Sequence, residues 1–163
     1  MNAIRVVQVG CGSISKAWLG GVKDRKDIEV VGLVDLNREA AEKQAVRFGW
    51  PGVEIGTDLQ AVLVKTRPDA VFDCTVPEAH VIVTKLALQY GCHVLGEKPL
   101  ADTLPHARKM MAAAKASGKI YAVMQNRRYY ANIQALRSFL KCKTIGRITT
   151  VHCDFLIGAH FGG

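Results

Sequence analysis

A valine-rich run that ends in two closely spaced glycines is the strongest constraint on this chain. Valine occupies positions 6, 7 and 9, and Gly10, Gly12 and Ser15 follow in the spacing G-x-G-x-x-S. β-Branched residues favour strands, and Gly10 can turn the chain without a Cβ penalty. Gly12 lets the backbone approach a pyrophosphate, at which a helix beginning here would direct free N–H groups. The pattern predicts a strand, loop and helix that bind a dinucleotide; a glycine-rich turn without a ligand is the alternative.

An acidic residue, Asp35, follows the second predicted strand, Ile28–Val34. A carboxylate there can accept both ribose hydroxyls of an adenosine and repels a 2′-phosphate, so it favours NAD, with NADP as the alternative. Arg38 lies just beyond, in the helix predicted over Arg38–Phe48 with Asn37 as its N-cap. An arginine there stacks on adenine, pairs with a 2′-phosphate, or is simply a solvated residue of a first helical turn.

Strands and helices alternate along the chain as far as position 124, which predicts an α/β fold with a doubly wound parallel sheet. The further predicted strands are Val53–Ile55, Asp69–Cys74, Cys92–Leu95 and Ile120–Met124. The helix after the glycine loop is predicted to bury Ile14, Ala17, Trp18 and Val22, with Trp18 as a core-packing ring. A last strand is predicted over Arg147–Ile157. We therefore expect a dinucleotide-binding domain at 1–124 and the truncated start of a second domain, combining helix and strand, at 125–163.

The loop Cys74–His80 follows a central strand, where ligands collect in open parallel sheets. Pro77 suits the first turn of the next helix, which is expected to bury Ala79, Ile82, Val83 and Leu86. His80 is a lone histidine, for which a structural role is the more common one.

A second such loop, Gly96–Leu100, places Glu97 and Lys98 directly after a buried strand. Pro99 restricts Lys98 to extended geometry, so its ammonium group is aimed over the sheet edge. Partial burial would lower the pKa of this lysine and make it usable as an acid or a base. An ordinary surface turn is the alternative.

Composition narrows the class of protein. The formal net charge is +8, but the basic residues are scattered and no nucleic-acid-binding motif accompanies them, so nucleic acid is not an expected partner. The five cysteines form no C-x-x-C pair, and their odd number fits neither a disulfide framework nor a zinc site. No apolar leader and no membrane-length apolar run is present. We expect a cytoplasmic protein without a metal or a membrane partner.

Four motifs occur in order: GCGSIS at Gly10, VDLNR at Asp35, CTVPEAH at Cys74 and GEKPLA at Gly96. Together they resemble the glucose-fructose oxidoreductase/inositol dehydrogenase/MocA family, whose cofactor domain is a Rossmann fold. The resemblance covers essentially the whole chain, and the E-K-P turn is its most specific piece.

The resemblance implies a role for each matching residue. The pyrophosphate would lie on the glycine loop, made of Gly10, Cys11, Gly12, Ser13 and Ile14. Asp35 and Arg38 would hold the adenosine ribose. Further cofactor contacts would come from Cys74, Thr75, Pro77, His80, Glu97, Lys98, Gln125 and Asn126. Lys98 would be catalytic, and the Lys98–Pro99 bond would be cis, as it often is in the family.

The chemistry implied is hydride transfer between a C–OH group of a sugar, inositol or related polyol and NAD(P). The sequence stops before the Asp-x-x-x-His stretch that commonly supplies the base in this family, and His160 follows no aspartate at that spacing. The chain alone is therefore expected to bind dinucleotide weakly and to be inactive. The complete protein is expected to be a homo-oligomer; a non-catalytic NAD(P)-binding sensor of the same fold is the alternative.

Overall fold

The computed structural model describes residues 3–154 of the 163-residue chain, which forms two compact units, Met1–Gln125 and Asn126–Gly163. The strands of the first unit are β1 Ile4–Val9, β2 Ile28–Val34, β3 Glu54–Gly56, β4 Ala70–Asp73, β5 His93–Gly96 and β6 Tyr121–Val123. Its helices are α1 Ser15–Val22, α2 Arg38–Phe48, α3 Leu59–Thr66, α4 His80–Gln89 and α5 Leu104–Ser117.

The six strands form one parallel sheet in the order β3-β2-β1-β4-β5-β6. The connections run one way from β1 to β3 and the other way from β4 to β6, so the strand order reverses between β1 and β4. In open α/β sheets the ligand crevice opens at that reversal, outside the carboxyl ends of the strands. The doubly wound parallel sheet predicted from the sequence is confirmed.

Each face of the sheet carries its own apolar core. On one face Val7, Val71 and Val94 pack with side chains from α3 and α4. On the other, Leu33 of β2 packs with Leu19 of α1 and with the alanines of α2. Both faces of the sheet are thus covered, and functional groups are left to its edges.

Helices α2 and α5 are capped at both ends. The side chain of Asn37 accepts a hydrogen bond from the Glu39 N–H, and Gly49 ends α2 in the left-handed conformation at φ +69°. Thr103 caps α5 in the same way, and Gly118 closes it at φ +65°. The predicted bounds Arg38–Phe48 are confirmed for α2.

Two predicted helix faces are wrong in part, because polar side chains occupy buried positions on both helices. In α1 the buried residues are Ser15 and Leu19, whereas Ile14 precedes the helix and is 46% exposed. In α4 the buried face holds His80 and Thr84, and the helix begins at His80 rather than at the proline. The residues predicted to be buried but found exposed in these two segments are Ile14, Ala17 and Ile82.

The second unit contains a 3₁₀ helix, Asn126–Tyr129, and α6, Ala131–Lys141. The strand predicted over Arg147–Ile157 is wrong as far as Asp154, because residues 147–154 form no strand. Backbone N–H and C=O groups need a neighbouring strand to form a ladder, and the described part of this unit offers none. Positions 155–157 and His160 lie outside the described residues.

Across residues 3–154, no helix has the length and apolar character required to cross a bilayer. Over the same range, no cluster of three or more histidine, cysteine or acidic side chains is arranged to hold a metal ion.

Candidate functional site

The turn after β1 is built on a glycine that no other residue could replace without strain. Gly10 has φ +80°, and an ideal Cβ on it would lie 2.6 Å from the carbonyl oxygen of Cys74. Its N–H donates to the carbonyl of Val34 at 2.8 Å. The turn is therefore wedged between β2 and the end of β4, at the point where the strand order reverses.

Hydrogen bonds from Ser15 and Gln44 hold the glycine loop, and the space beside Gly12 is open. The Ser15 hydroxyl donates to the Gly12 carbonyl at 2.6 Å, and the buried Gln44 amide of α2 donates to the Cys11 carbonyl at 3.0 Å. An ideal Cβ on Gly12 meets nothing within 4 Å. Among residues 3–154, the N–H groups of Gly12, Ser13 and Ile14 donate to no partner. Free N–H groups at a helix N-terminus, beside open space, fit an anionic phosphate group.

Asp35 follows β2 beside this loop. Its Oδ2 accepts from the Cys11 N–H at 2.7 Å, and its Oδ1 accepts from the Asn37 N–H at 2.9 Å. A carboxylate has about four acceptor positions, so two bonds hold the group while leaving capacity for a ribose diol. The carboxylate links the glycine loop to the N-terminus of α2.

Arg38 is exposed in the first turn of α2 and is already paired within the protein. Its Nε donates to Glu42 Oε1 at 2.9 Å, and its Nη1 donates to the Ile55 carbonyl at 3.2 Å. These contacts do not decide among the three roles that the sequence leaves open for Arg38. A 2′-phosphate partner would have to compete with Glu42 for the guanidinium.

A buried polar cluster follows β4 and includes an acid that sequence reasoning did not single out. Asp73 is fully buried; its Oδ1 accepts from the Thr75 hydroxyl at 2.6 Å, and its Oδ2 lies 3.0 Å from Nδ1 of His80. His80 is 2% exposed. Asp73 and His80 together hold the Thr75 hydroxyl, and the cofactor contact proposed for His80 stays a prediction. The sequence signal that could have identified Asp73 is its position as an acidic residue at the end of a buried strand.

Two buried thiols line the same region. Burial raises the pKa of Cys11 to about 12, and the nearby Asp35 charge adds to the effect. Burial also raises the pKa of Cys74 to about 12, with a smaller opposing contribution from a hydrogen bond to Gln8. Both thiols stay protonated at neutral pH, which disfavours a nucleophilic role. The cofactor contacts expected of Cys11 and Cys74 stay predictions.

The E-K-P turn follows β5. Its Lys98–Pro99 peptide bond is cis. The Glu97 carboxylate accepts from the Lys98 N–H at 2.9 Å and from Nε1–H of Trp18 at 2.9 Å. Lys98 is exposed, and among the described residues its ammonium group has no hydrogen bond or ion pair. The turn thus holds its backbone firmly and leaves the amine available.

Three further predicted contact residues lie outside the glycine loop and the E-K-P turn in sequence. Pro77 is half-buried in the turn that leads into α4. Gln125 is exposed after β6, and Asn126 begins the 3₁₀ helix of the second unit, where its side chain accepts from the Arg127 N–H.

A large cleft lies elsewhere, at the amino-terminal edge of the sheet. It measures about 580 Å³ and is lined by residues that include Arg5, Ile28, Trp50 and Lys65. None of the predicted site residues borders it. Its charged side chains include the pairs Arg5–Glu29 and Lys65–Glu54. The predicted site residues of the first unit lie instead in the loops that follow the carboxyl ends of its strands.

Residues 4–125 match the model of the oxidoreductase family with an NAD-binding Rossmann fold, the glucose-fructose oxidoreductase/inositol dehydrogenase/MocA family. The chain belongs to this family, and its first unit is an NAD-binding Rossmann domain. The resemblance drawn from the four motifs is confirmed.

Individual relatives are consistent with this membership. The chain is 32% identical to D-glucoside 3-dehydrogenase of Escherichia coli over 90% of its own length and 42% of the relative's. It is 32% identical to 1,5-anhydro-D-fructose reductase of Ensifer adhaerens over 85% of its length and 41% of the relative's. The WlbA dehydrogenase of Bordetella pertussis, solved with NADH and UDP-GlcNAcA, superposes with a TM-score of 0.83 at 27% identity, over 90% of this chain and 42% of that one. The chain thus spans about two fifths of the length of these proteins.

Proposed function

We propose that this chain is the cofactor-binding part of an NAD(P)-dependent oxidoreductase that acts on a C–OH group of a sugar, inositol or related polyol. The observation that carries the proposal is the set of unpaired N–H groups on Gly12, Ser13 and Ile14, with the Asp35 carboxylate fixed beside them. Donors for a pyrophosphate and acceptors for a ribose then occur side by side, as a dinucleotide requires.

The residues present fit the cofactor. The loop N–H groups would hold the pyrophosphate, and Asp35 would accept the adenosine ribose hydroxyls and disfavour a 2′-phosphate. Thr75, held by Asp73 and His80, would meet the nicotinamide half, at which the bound cofactor exchanges a hydride with the substrate carbon.

Lys98 is proposed as the catalytic residue. Oxidation of a C–OH group releases a hydride and a proton, and a positioned lysine can accept that proton when its side chain is in the neutral amine form. Lys98 suits the role because its backbone is fixed by Glu97 while its amine is unpaired among the described residues. Asn126–Gly163 is proposed to begin the substrate domain, since α6 is amphipathic and leaves Ile133, Leu136 and Phe139 exposed in this chain. The cytoplasmic location and homo-oligomeric state stay predictions from the sequence.

Amide NMR of the 163-residue chain titrated with NADH tests the cofactor site. We expect progressive shifts at Gly12, Ser13, Ile14 and Asp35. Shifts confined to the cleft around Trp50, or none at millimolar NADH, would overturn the assignment.

The role of Lys98 is tested in the complete protein with Lys98→Ala, assayed against a panel of sugars and inositols with NAD⁺. Turnover should fall at least a hundredfold while the dissociation constant for NADH changes less than threefold. Equal losses in turnover and in affinity would mean that Lys98 only holds the cofactor. Arg108→Ala, an exposed cation of α5, serves as the control for loss of one positive charge.

A further inference from the structure

Trp18 carries a polar contact that core packing does not explain. It lies on α1, half-buried, with its ring edge against Phe72 at a centroid distance of 5.3 Å. Its Nε1–H donates to Glu97 Oε1 at 2.9 Å, across 79 positions of sequence. A phenylalanine would satisfy the packing against Phe72, so the indole N–H adds something that the core does not need.

The partner of that N–H controls the turn after β5. Glu97 uses one carboxylate oxygen for Trp18 and the other for the Lys98 N–H. The backbone N–H of Glu97 donates to the Asp73 carbonyl at 2.8 Å. Hydrogen bonds to a charged carboxylate are about twice as strong as those between neutral groups. The Glu97 side chain therefore connects α1 to the backbone of Lys98.

We propose that Trp18 is a positioning residue, which through the Glu97 carboxylate fixes the Lys98 turn relative to the helix that faces the pyrophosphate. The inference rests on the proposed function, because it takes the α1 N-terminus as the phosphate site and Lys98 as the catalytic amine. The same eight-residue helix carries the phosphate-binding turn at its start and Trp18 in its middle. A dinucleotide that orders the N-terminus of α1 thereby also orders the turn that presents Lys98, and the coupling is reciprocal.

The test uses the 163-residue chain and hydrogen exchange of its amides, followed residue by residue by NMR. Trp18→Phe keeps the aromatic contact with Phe72 and removes only the donor. In the ligand-free protein the Lys98 amide should then exchange about tenfold faster, because its acceptor is no longer held from the other side. The amide of Val94, in the middle of β5, should keep its rate. Trp50→Phe is the matched control, since Trp50 stacks on Phe48 outside the site.

A second variant covers the case in which Trp18→Phe does not fold. Glu97→Gln is nearly isosteric but offers one acceptor oxygen where the carboxylate uses two. In Glu97→Gln we expect that either the Trp18 indole N–H resonance shifts or the Lys98 amide exchanges faster. Unchanged signals in both places would overturn the proposal, as would faster exchange throughout the sheet in Trp18→Phe, which indicates a purely structural role.

Adding NADH separates this inference from the proposed function. In the wild-type chain NADH should slow Lys98 amide exchange; in Trp18→Phe it should still shift the Gly12 amide but no longer protect Lys98. Protection that persists in the variant would overturn the coupling. If NADH fails to bind the wild-type chain, the proposed cofactor site is wrong, and the exchange rates of the ligand-free variants still decide whether Trp18 fixes the turn.

Discussion

Substitution by alanine should have different effects at the two glycines of the loop: it should lower stability at Gly10 and cofactor affinity at Gly12. Gly10→Ala places a methyl group 2.6 Å and 2.7 Å from the carbonyl oxygen and carbon of Cys74, and 2.9 Å from the Thr75 nitrogen. The φ of +80° adds strain for any residue with a Cβ. Gly12→Ala meets no atom within 4 Å, and its φ lies outside the left-handed region.

The cost of Gly10→Ala follows from these contacts. Left-handed backbone costs a non-glycine residue about 1–2 kcal/mol. The clashing atoms are backbone, and both segments are held: the Gly10 N–H donates to Val34 and the Cys74 N–H donates to Val9, each at 2.8 Å. Relieving the overlap weakens those two bonds, at about 1 kcal/mol each. The free energy of unfolding should therefore fall by about 3 kcal/mol, and the Tm of a domain of this size by about 6–12 °C.

Thermal and urea unfolding followed by far-UV circular dichroism measure this loss. Gly12→Ala should unfold within about 0.5 kcal/mol of the wild-type chain, as expected for a site without clash or strain. Its affinity for NADH should nevertheless fall at least tenfold, because the new methyl group occupies the space a pyrophosphate needs. The reasoning is refuted if Gly10→Ala is as stable as wild type, or if Gly12→Ala binds NADH normally.

Two further predictions concern Asp35 and the buried thiols. Asp35→Ser should lower the ratio of the dissociation constants for NADPH and NADH at least tenfold, measured by titration with both cofactors. An unchanged ratio would show that Asp35 does not contact the ribose. Glu39→Gln is the control for loss of one acidic charge nearby, on α2. Burial raises the pKa of Cys11 and of Cys74 to about 12, well above an unfolded thiol, so the stability due to these groups is present below about pH 8.5 and is lost as pH rises towards 12. The free energy of unfolding should fall above pH 9, by up to about 1.4 kcal/mol per pH unit for each thiol. The double variant Cys11→Ala/Cys74→Ala should show a shallower decline, and equal slopes in the two proteins would contradict the assigned cause.

Local signals in the sequence were sufficient for most of the fold. The bounds of α2 follow from its Asn37 cap and from Gly49, and strand β2 begins and ends at the predicted residues. Other strands differ by one residue at their ends, where the ladder rather than the side chains decides the last pair. The strand predicted from Arg147 is absent as far as Asp154, because a strand needs a partner strand for its ladder and the described residues of the second unit offer none.

Contacts between segments that are distant in sequence could not be predicted from local sequence patterns. The bond from Trp18 to Glu97 and the packing of Gly10 against Cys74 both depend on how the sheet closes. Asp73 and Gln44 were missed for a related reason: each is a buried polar residue whose partner lies on another element or at the end of a strand. Periodicity identifies apolar faces, but it does not show which polar side chains are satisfied inside.

The Ser15 hydroxyl has one proton, and it is already donated to the Gly12 carbonyl. The Ser15 side chain therefore has no proton left for an anion at this turn, whereas the side chains of Ser13 and Ile14 are exposed. For protein engineering, positions 13 and 14 form a natural pair to randomise when cofactor affinity is to be tuned. Ser15 and Gln44 belong to the supporting frame, and a library should keep them constant.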